Sequence, residues 1–481
     1  MKFKLYLTAC LLVLGLSCAH AVPAKKGVKR TIKLADGTSV VAELKGDEFA
    51  SYWQADDGKC YVQDVDSRTF KITDKAQVVN RGLAKRQKAN DERIKRFAKR
   101  GPKREITGAF SHFTGTKKGL IILVNFKDVK FGRTHTRTMF DNIANKKGFT
   151  NSLGFKGSVK DYFLAQSNGQ FELDFDVVGP YTLSQNMAYY GAHSKDGLQD
   201  VKPGHMILEA CQMADKDVNY ADYDWDGDGE VDQVFVIYAG FGEADGGSED
   251  TIWPHESQLS TWVSKPYETK DGVSVNTYAC GNENTYDMLG RSRINGIGTI
   301  CHEFSHCLGY PDLYDTNYSN FGMGSFDLMC SGSYNGESFC PPNYSAYEKW
   351  VAGWIKPTIL DKPASVKGMQ AQDVKYGQAF VVYNDNNKNE YYLIENRQQN
   401  VGIWDKLLPA SGMMITHVDY DENIWEWNNV NTIVNYSNQY GPEYAYRDND
   451  HQRLTIFHAD NEEGSSADSQ AGDLYPYKDN N

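Results

Sequence analysis

The stretch Ile297-Gly298-Thr299-Ile300-Cys301-His302-Glu303-Phe304-Ser305-His306-Cys307-Leu308-Gly309-Tyr310-Pro311-Asp312 leaves this chain few choices. Wound as a helix at about 100° per residue, it places Ile297, Ile300, Phe304 and Leu308 in one narrow apolar arc. His302 and His306 fall together on the opposite side, one turn apart. Two imidazoles so spaced can aim nitrogens at one ion about 2.0–2.1 Å away. Glu303, rotated about 100° from His302, can reach a water beside that ion without ligating it. Gly309 is a natural helix stop and Pro311 prevents resumption. The chain then turns back and offers Asp312 as a third ligand, with Asp315 as the alternative. Two histidines and one carboxylate leave a position open for water, the pattern of a catalytic rather than a structural zinc site. A bare His-Glu-x-x-His match also occurs on ordinary surface helices. The apolar arc, the glycine stop and the timed aspartate argue against that reading here.

The rest of the chain bounds the setting. Lys2 and Lys4 precede the short apolar run Leu5–Leu16, and Ala19-His20-Ala21 is a small-x-small pattern, so residues 1–21 read as an export signal and the mature chain is expected to begin near Val22. Lipidation of Cys18 is a rival reading, weakened by Gly15 three residues before it. No later segment is long and apolar enough to span a membrane. Residues 22–80 read as a small β-rich unit with turn signals at Asp36-Gly37 and Asp57-Gly58. A dense basic run from Arg81 to Arg104 follows, either a site of trypsin-like processing or a solvated helix joining two permanent domains. After it the pattern is α/β, with buried strands at Leu120–Phe126 and Val234–Tyr238 and helices at Val159–Ser167 and His205–Ala214. From about Ile355 the sequence turns strand-rich, and its stop at Tyr477-Lys478-Asp479-Asn480-Asn481, directly after a strand-like run, reads as cut short. The divisions expected are therefore 1–21, 22–105, 106–355 and 356–481.

The overall charge of −12 hides a basic N-terminal portion and a strongly acidic remainder, which phosphate backbones would repel; nucleic acid is excluded as a partner. Export also permits disulfides. Cys211, Cys280, Cys301, Cys307, Cys330 and Cys340 could form up to three, although Cys301 and Cys307 stand about 9 Å apart along one helix and cannot bridge each other. Cys60 is an inert or paired thiol by default, with zinc ligation in a latent form the sharper alternative. His417 reads as core packing. Asp222, Asp224, Asp226, Asp228 and Asp232, interleaved with Gly227 and Gly229, pack like charge so densely that a calcium ion is the expected neutraliser. The loop lacks the closing glutamate of an EF-hand, since Phe235 stands there.

The segments HEFSHCLGYPDLYD and FGMGSFDLMCSGSYNG resemble the immune inhibitor A family of secreted bacterial zinc metallopeptidases. So do DGTSVVAELKGDEFASYW near the N-terminus, SNGQFELDFDVVGPY, DYDWDGDGEVDQVFVIYAG, EYYLIENRQ and SGMMITHVDYD. The resemblance implies an α+β, zincin-like catalytic domain, a small β-rich inhibitory propeptide over 22–105 and a strand-rich C-terminal part. It implies zinc on His302, His306 and Asp312, Glu303 as general base, and Met329 in a turn beneath the metal. The activity expected is endopeptidase cleavage of extracellular proteins or peptides, with Tyr334 or Tyr344 as candidate oxyanion donors. The contrasting expectation is a non-catalytic exported binding or adhesion protein, calcium-stabilised, that retains the fold.

Overall fold

The computed structural model describes residues 19–20, 22–82, 86, 113–195, 199–287, 289–317, 319–373, 377–464 and 467–477. Most of the export-signal stretch and nearly all of the basic run lie outside the described residues.

Residues 29–73 form an antiparallel meander of five strands: β2 (Lys29–Lys33), β3 (Ser39–Gly46), β4 (Ser51–Ala55), β5 (Cys60–Gln63) and β6 (Phe70–Thr73). The turn glycines act as expected: Gly37 and Gly58 carry φ of 88° and 83°, a region costly for residues with a Cβ. Alternation turns Ile32, Ala42, Leu44, Trp53, Ala55, Tyr61 and Phe70 to one face. That face buries itself against Val22, Ala24, Ala244 and Trp253, so the meander is docked on the central unit.

The central sheet has the order β1-β10-β13-β9-β7-β8. β7 (Gly115–Asn125), β8 (Phe171–Thr182), β9 (Val234–Phe241) and β13 (Thr277–Tyr286) run parallel. β7 and β9 are apolar on both faces because helices cover both, as a buried parallel strand requires. Helices α1 (Arg137–Asn145), α2 (Val159–Gln166) and α4 (Ile297–Cys307) lie on one side and α3 (Pro203–Ala214) on the other. A Ser158/Asp161 capping box starts α2. A small ribbon, β11 (Tyr267–Glu268) and β12 (Ser274–Val275), and a short β14 (Ser292–Ile294) complete this unit. β10 (His255–Gln258) runs antiparallel to β13, and beyond it lies β1 (Ala19–His20), from the far N-terminus.

A third sheet, β15-β16-β17-β18-β19, follows: Thr358–Ile359, Ala379–Tyr383, Glu390–Arg397, Gly412–Asp419 and Leu454–Ile456. Its inward residues Tyr391, Leu393, Met414 and Val418 join the same core as Ile297, Phe304 and Leu308 of α4. Arg397, fully buried, donates through Nε and Nη2 to both oxygens of Asp405 at 2.8 and 2.7 Å and to the Asn343 carbonyl, stapling this sheet to the central unit. The α/β class with strand-rich parts at both ends is what the sequence pattern calls for. One possibility is not realised and one expectation fails. The cysteines described are all buried free thiols, so no disulfide forms among the described residues; they pack as small apolar groups, Cys301, Cys307 and Cys330 in one core and Cys211 and Cys280 in another. His417 is not a core residue: Met414, Thr416 and Val418 take the inner face of β18, and strand alternation leaves His417 outside against Glu390, at 3.1 Å.

Candidate metal centre

Helix α4 begins tightly clamped. A Cβ on Gly296 would stand 2.2 Å from the Ser338 carbonyl oxygen, and one on Gly298 only 1.9 Å from that of Ser333. Glycine at both positions lets the 331–339 loop, which carries Tyr334, close on the first turn. The helix ends as its sequence dictates. Gly309 takes φ of 98°, its N–H and that of Tyr310 close onto the carbonyls of His306 and Ser305, and the chain reverses.

That reversal delivers Asp312 to the two imidazoles. His302 Nε2 and His306 Nε2 stand 3.1 Å apart, and Asp312 Oδ1 lies 3.3 and 3.2 Å from them. The other ring nitrogens are committed: His302 Nδ1 donates to the Leu328 carbonyl and His306 Nδ1 to that of Tyr310, both at 2.8 Å. Each Nε2 therefore presents a lone pair to the same point, beside a carboxylate oxygen. Three electron-rich atoms about 3.3 Å apart match the edges of a tetrahedron around a zinc-sized ion with ligands at 2.0–2.1 Å. The donor set fits a metal, and the carbonyls behind the rings are the outer shell that orients such ligands. Burial lowers the pKa of His302, which favours the neutral, ligating ring.

Asp312 is held from far away. Its Oδ2 accepts from Asn428 Nδ2 at 2.7 Å, and its own N–H donates to Asn428 Oδ1 at 2.6 Å. Asn428, in a left-handed conformation (φ 54°) after the third sheet's long strands, was invisible to motif reading because it lies 116 residues from its partner. Asp315 does something else: it accepts the N–H groups of Asn317, Ser319 and Asn320 and caps its own loop. Met329 is fully buried in the turn that follows Leu328, the residue whose carbonyl holds His302.

Glu303 is also fully buried, and desolvation pushes its carboxyl well above the usual range. Its Oε1 accepts the main-chain N–H of Val22 at 2.7 Å. The N-terminal segment thus runs through the site. β1 pairs with β10, Ala19 opposite Ser257 and His20 opposite Glu256. Trp253 Nε1 donates to the Val22 carbonyl at 2.9 Å, Tyr334 Oη donates to the Pro23 carbonyl at 2.7 Å, and the N–H of Ala24 donates to the Gly46 carbonyl. Tyr344, the other tyrosine considered, packs behind α4 with its hydroxyl on Ser305. Cys60 lies on β5 with Tyr52 and Val78, in a cluster separate from the metal ligands.

Of the acidic loop, the fold draws together Asp224, Asp226 and Asp232. Asp222 instead faces Lys118 at 3.3 Å, and Asp228 accepts the N–H of Glu230 in a local turn.

Two imidazoles on successive turns, a neighbouring glutamate and a returning aspartate define a metallopeptidase catalytic domain. Residues 112–359 match the immune inhibitor A peptidase M6 catalytic domain, and the chain belongs to that family. It is 27% identical over 281 residues to the pre-pro-metalloprotease PrtV of Vibrio cholerae serotype O1 (strain M66-2), a match covering 51% of this chain and 30% of that protein. It is 27% identical over 296 residues to immune inhibitor A of Bacillus thuringiensis subsp. alesti, covering 52% of this chain and 42% of that protein. The chain thus spans less than half the length of these relatives. Among the described residues, no helix is long and apolar enough to cross a membrane.

Proposed function

We propose that the chain is an exported zinc-dependent endopeptidase made as a zymogen, cleaving peptide bonds in extracellular proteins. The observation that carries this reading is the convergence of His302, His306 and Asp312 beside Glu303. Zinc, when bound, would lower the pKa of a coordinated water towards ~7 and polarise the scissile carbonyl. Glu303, on the same helix as the two imidazoles and one residue from His302, takes the proton of the attacking water and delivers it to the departing nitrogen. The Val22 N–H, 2.7 Å from Glu303, engages the carboxylate that would carry this proton. β10 offers a substrate its free edge for antiparallel pairing, as it does β1. Tyr334, whose hydroxyl reaches a carbonyl of the inserted segment, is the better-placed oxyanion donor of the two tyrosines.

Residues 22–105 act as the inhibitory propeptide in this reading, because Val22 and Pro23 engage the groups a substrate needs. Asp224, Asp226 and Asp232 would hold calcium in a structural role, pinning the loop that leads into β9. Casein cleavage by the processed protein, with and without a chelator and beside Glu303→Gln, tests the proposal. Cleavage should vanish under either treatment and return on adding zinc to the chelated wild-type protein. Activity that survives both would overturn it, and a folded protein that never cleaves would favour the binding-protein alternative.

A further inference from the structure

The two carbonyls that aim the imidazoles lie on different segments of the chain, Leu328 behind His302 and Tyr310 behind His306. One residue stands behind both segments: Glu348, on the short helix Ala346–Val351. Its main-chain carbonyl accepts the Tyr310 hydroxyl at 2.9 Å. Its carboxyl is hydrogen-bonded to that of Asp327, the residue just before Leu328. Glu348 therefore reaches the support of one ring through its backbone and the support of the other through its side chain.

Both carboxyls are fully buried, and one oxygen of each is already engaged. Asp327 Oδ1 accepts the Met329 N–H at 2.7 Å, while the Asp327 carbonyl accepts the N–H groups of Cys330 and Gly332 and so folds the turn beneath the metal centre. Glu348 Oε2 accepts the Ser345 N–H at 2.7 Å and the Ser345 hydroxyl at 3.0 Å, the capping box that starts its helix. Asp327 Oδ2 and Glu348 Oε1 remain, buried and with no N–H or hydroxyl donor. Two carboxyl groups can share a hydrogen bond only if one of them carries a proton.

The surroundings decide which one carries it. Burial raises the pKa of both groups; on Asp327 it is opposed by the Glu348 hydrogen bond, the Met329 N–H and the Arg397 guanidinium, whereas on Glu348 the Asp327 charge adds to it. Glu348 is thus the neutral acid and the donor, and Asp327 the carboxylate. The other charged groups nearby have partners of their own: Asp405 has Arg397, Glu395 the Ala346 N–H, and Lys349 the Gln372 carbonyl. A hydrogen bond from a neutral acid to a carboxylate, shielded from water, is about twice as strong as one between neutral groups. A capping box alone accounts for Glu348 Oε2; it leaves the opposed carboxyl at 327 unexplained.

We propose that Glu348 is a positioning residue of the metal centre: its neutral carboxyl donates to Asp327 and its carbonyl accepts from Tyr310, so that one residue fixes both carbonyls that orient His302 and His306. The inference rests on the zinc-peptidase reading. It concerns the aim of the two rings, and Glu348 neither ligates the metal nor moves a proton in the reaction. With the Leu328 and Tyr310 carbonyls tied to a common post, the two Nε2 lone pairs are held to one point before a metal arrives.

The test measures zinc affinity by chelator competition in the full-length chain and its variants. Glu348→Leu keeps the bulk and removes the donor, and should weaken zinc binding by about 10–100-fold. Glu348→Gln keeps an N–H for Asp327 and an oxygen for Ser345, so its affinity should stay within about twofold of the parent. Ser345→Ala removes the cap hydroxyl but not the link to Asp327; it should lower the Tm and spare zinc affinity. Infrared spectra near neutral pH should show the carbonyl stretch of a neutral carboxyl that is missing from Glu348→Gln. Should Glu348→Leu fail to fold, Tyr310→Phe, which cuts only the hydroxyl tie, should show a smaller loss of zinc affinity. Unchanged affinity in both folded variants, an equal loss in Ser345→Ala, or identical infrared spectra would overturn the inference and leave the metal site standing. Failure of the parent chain to bind one metal ion, or binding unaffected by His302→Ala, would overturn the zinc reading itself and this inference with it.

Discussion

Two five-stranded sheets flank the catalytic unit, and they touch the metal site in opposite ways. The N-terminal sheet and the segment leading into it engage working atoms: Val22 sits on Glu303 and Pro23 on Tyr334. The C-terminal sheet reaches the site from behind, through Asn428 on the outer oxygen and main-chain N–H of Asp312. One set of contacts lies on Glu303 and Tyr334 in front of the centre; the other braces Asp312 from behind. On the proposed zymogen reading, the first sheet is removed to gain activity and the second must stay. Each sheet is also tied down by a buried ion pair, Arg86 to Asp47 in the N-terminal part and Arg397 to Asp405 in the C-terminal part. The two pairs give a matched experiment.

The largest effect should come from the residue the N-terminal segment covers. Glu303→Gln in the processed protein should lower kcat by about 10²–10⁴-fold while zinc content stays at one per chain, read by proteolysis assay beside metal analysis. Metal loss in that variant would mean Glu303 is structural and would erase the contrast between the two sheets. Next come the ion pairs. Removing one partner of a buried pair costs about 3–5 kcal/mol, because the other charge is left uncompensated. Arg397→Ala should therefore lower the Tm of the whole molecule and take metal affinity with it. Arg86→Ala should instead loosen only the N-terminal sheet, seen as faster protease removal of residues 22–105 with zinc affinity retained in the remainder. Equal loss of metal from both variants would break the comparison.

A pH experiment probes β10, the strand against which the N-terminal segment pairs. His255 is buried, with Nδ1 on the Trp253 carbonyl and Nε2 against the Tyr278 hydroxyl, beside Cys280 and Trp262. Burial lowers its pKa to about 4. Between the ordinary value near 6.5 and about 4, the unfolded chain binds a proton that the folded chain refuses, so stability is lost as pH falls through that window. The full loss is about 3 kcal/mol. The drop in Tm between pH 7 and pH 4.5 should be smaller in His255→Gln; an unchanged drop would assign the acid sensitivity elsewhere. The mildest change concerns the buttress. Asn428→Ala should weaken metal binding by about 10–100-fold in a chelator competition without unfolding the protein. No change would mean that Asp312 is held well enough by its own turn.

Much of the centre was legible because it is local. The helical period puts His302 above His306 whatever surrounds them, and Gly309 with Pro311 ends the helix in time for Asp312 to return. The turn glycines at 37 and 58 and the alternating strands were equally readable. The acidic loop was only half readable: density of charge marked five aspartates, but Lys118, distant in sequence, draws Asp222 away from the group formed by Asp224, Asp226 and Asp232. The thiols show the same limit, since the export expected from the sequence permits disulfides but only packing decides which sulfurs meet.

By itself, then, the sequence determined which residues can meet within a turn or two of backbone: the imidazole pair, the glutamate beside them, the stop and the returning carboxylate. Tertiary structure alone decided what closes around them. Asn428 behind Asp312, Leu328 behind His302 and Val22 in front of Glu303 are contacts across 116, 26 and 281 residues. No periodicity encodes such separations. They arise when apolar faces of distinct sheets must be buried together, and that burial fixes which polar atoms arrive at the same place.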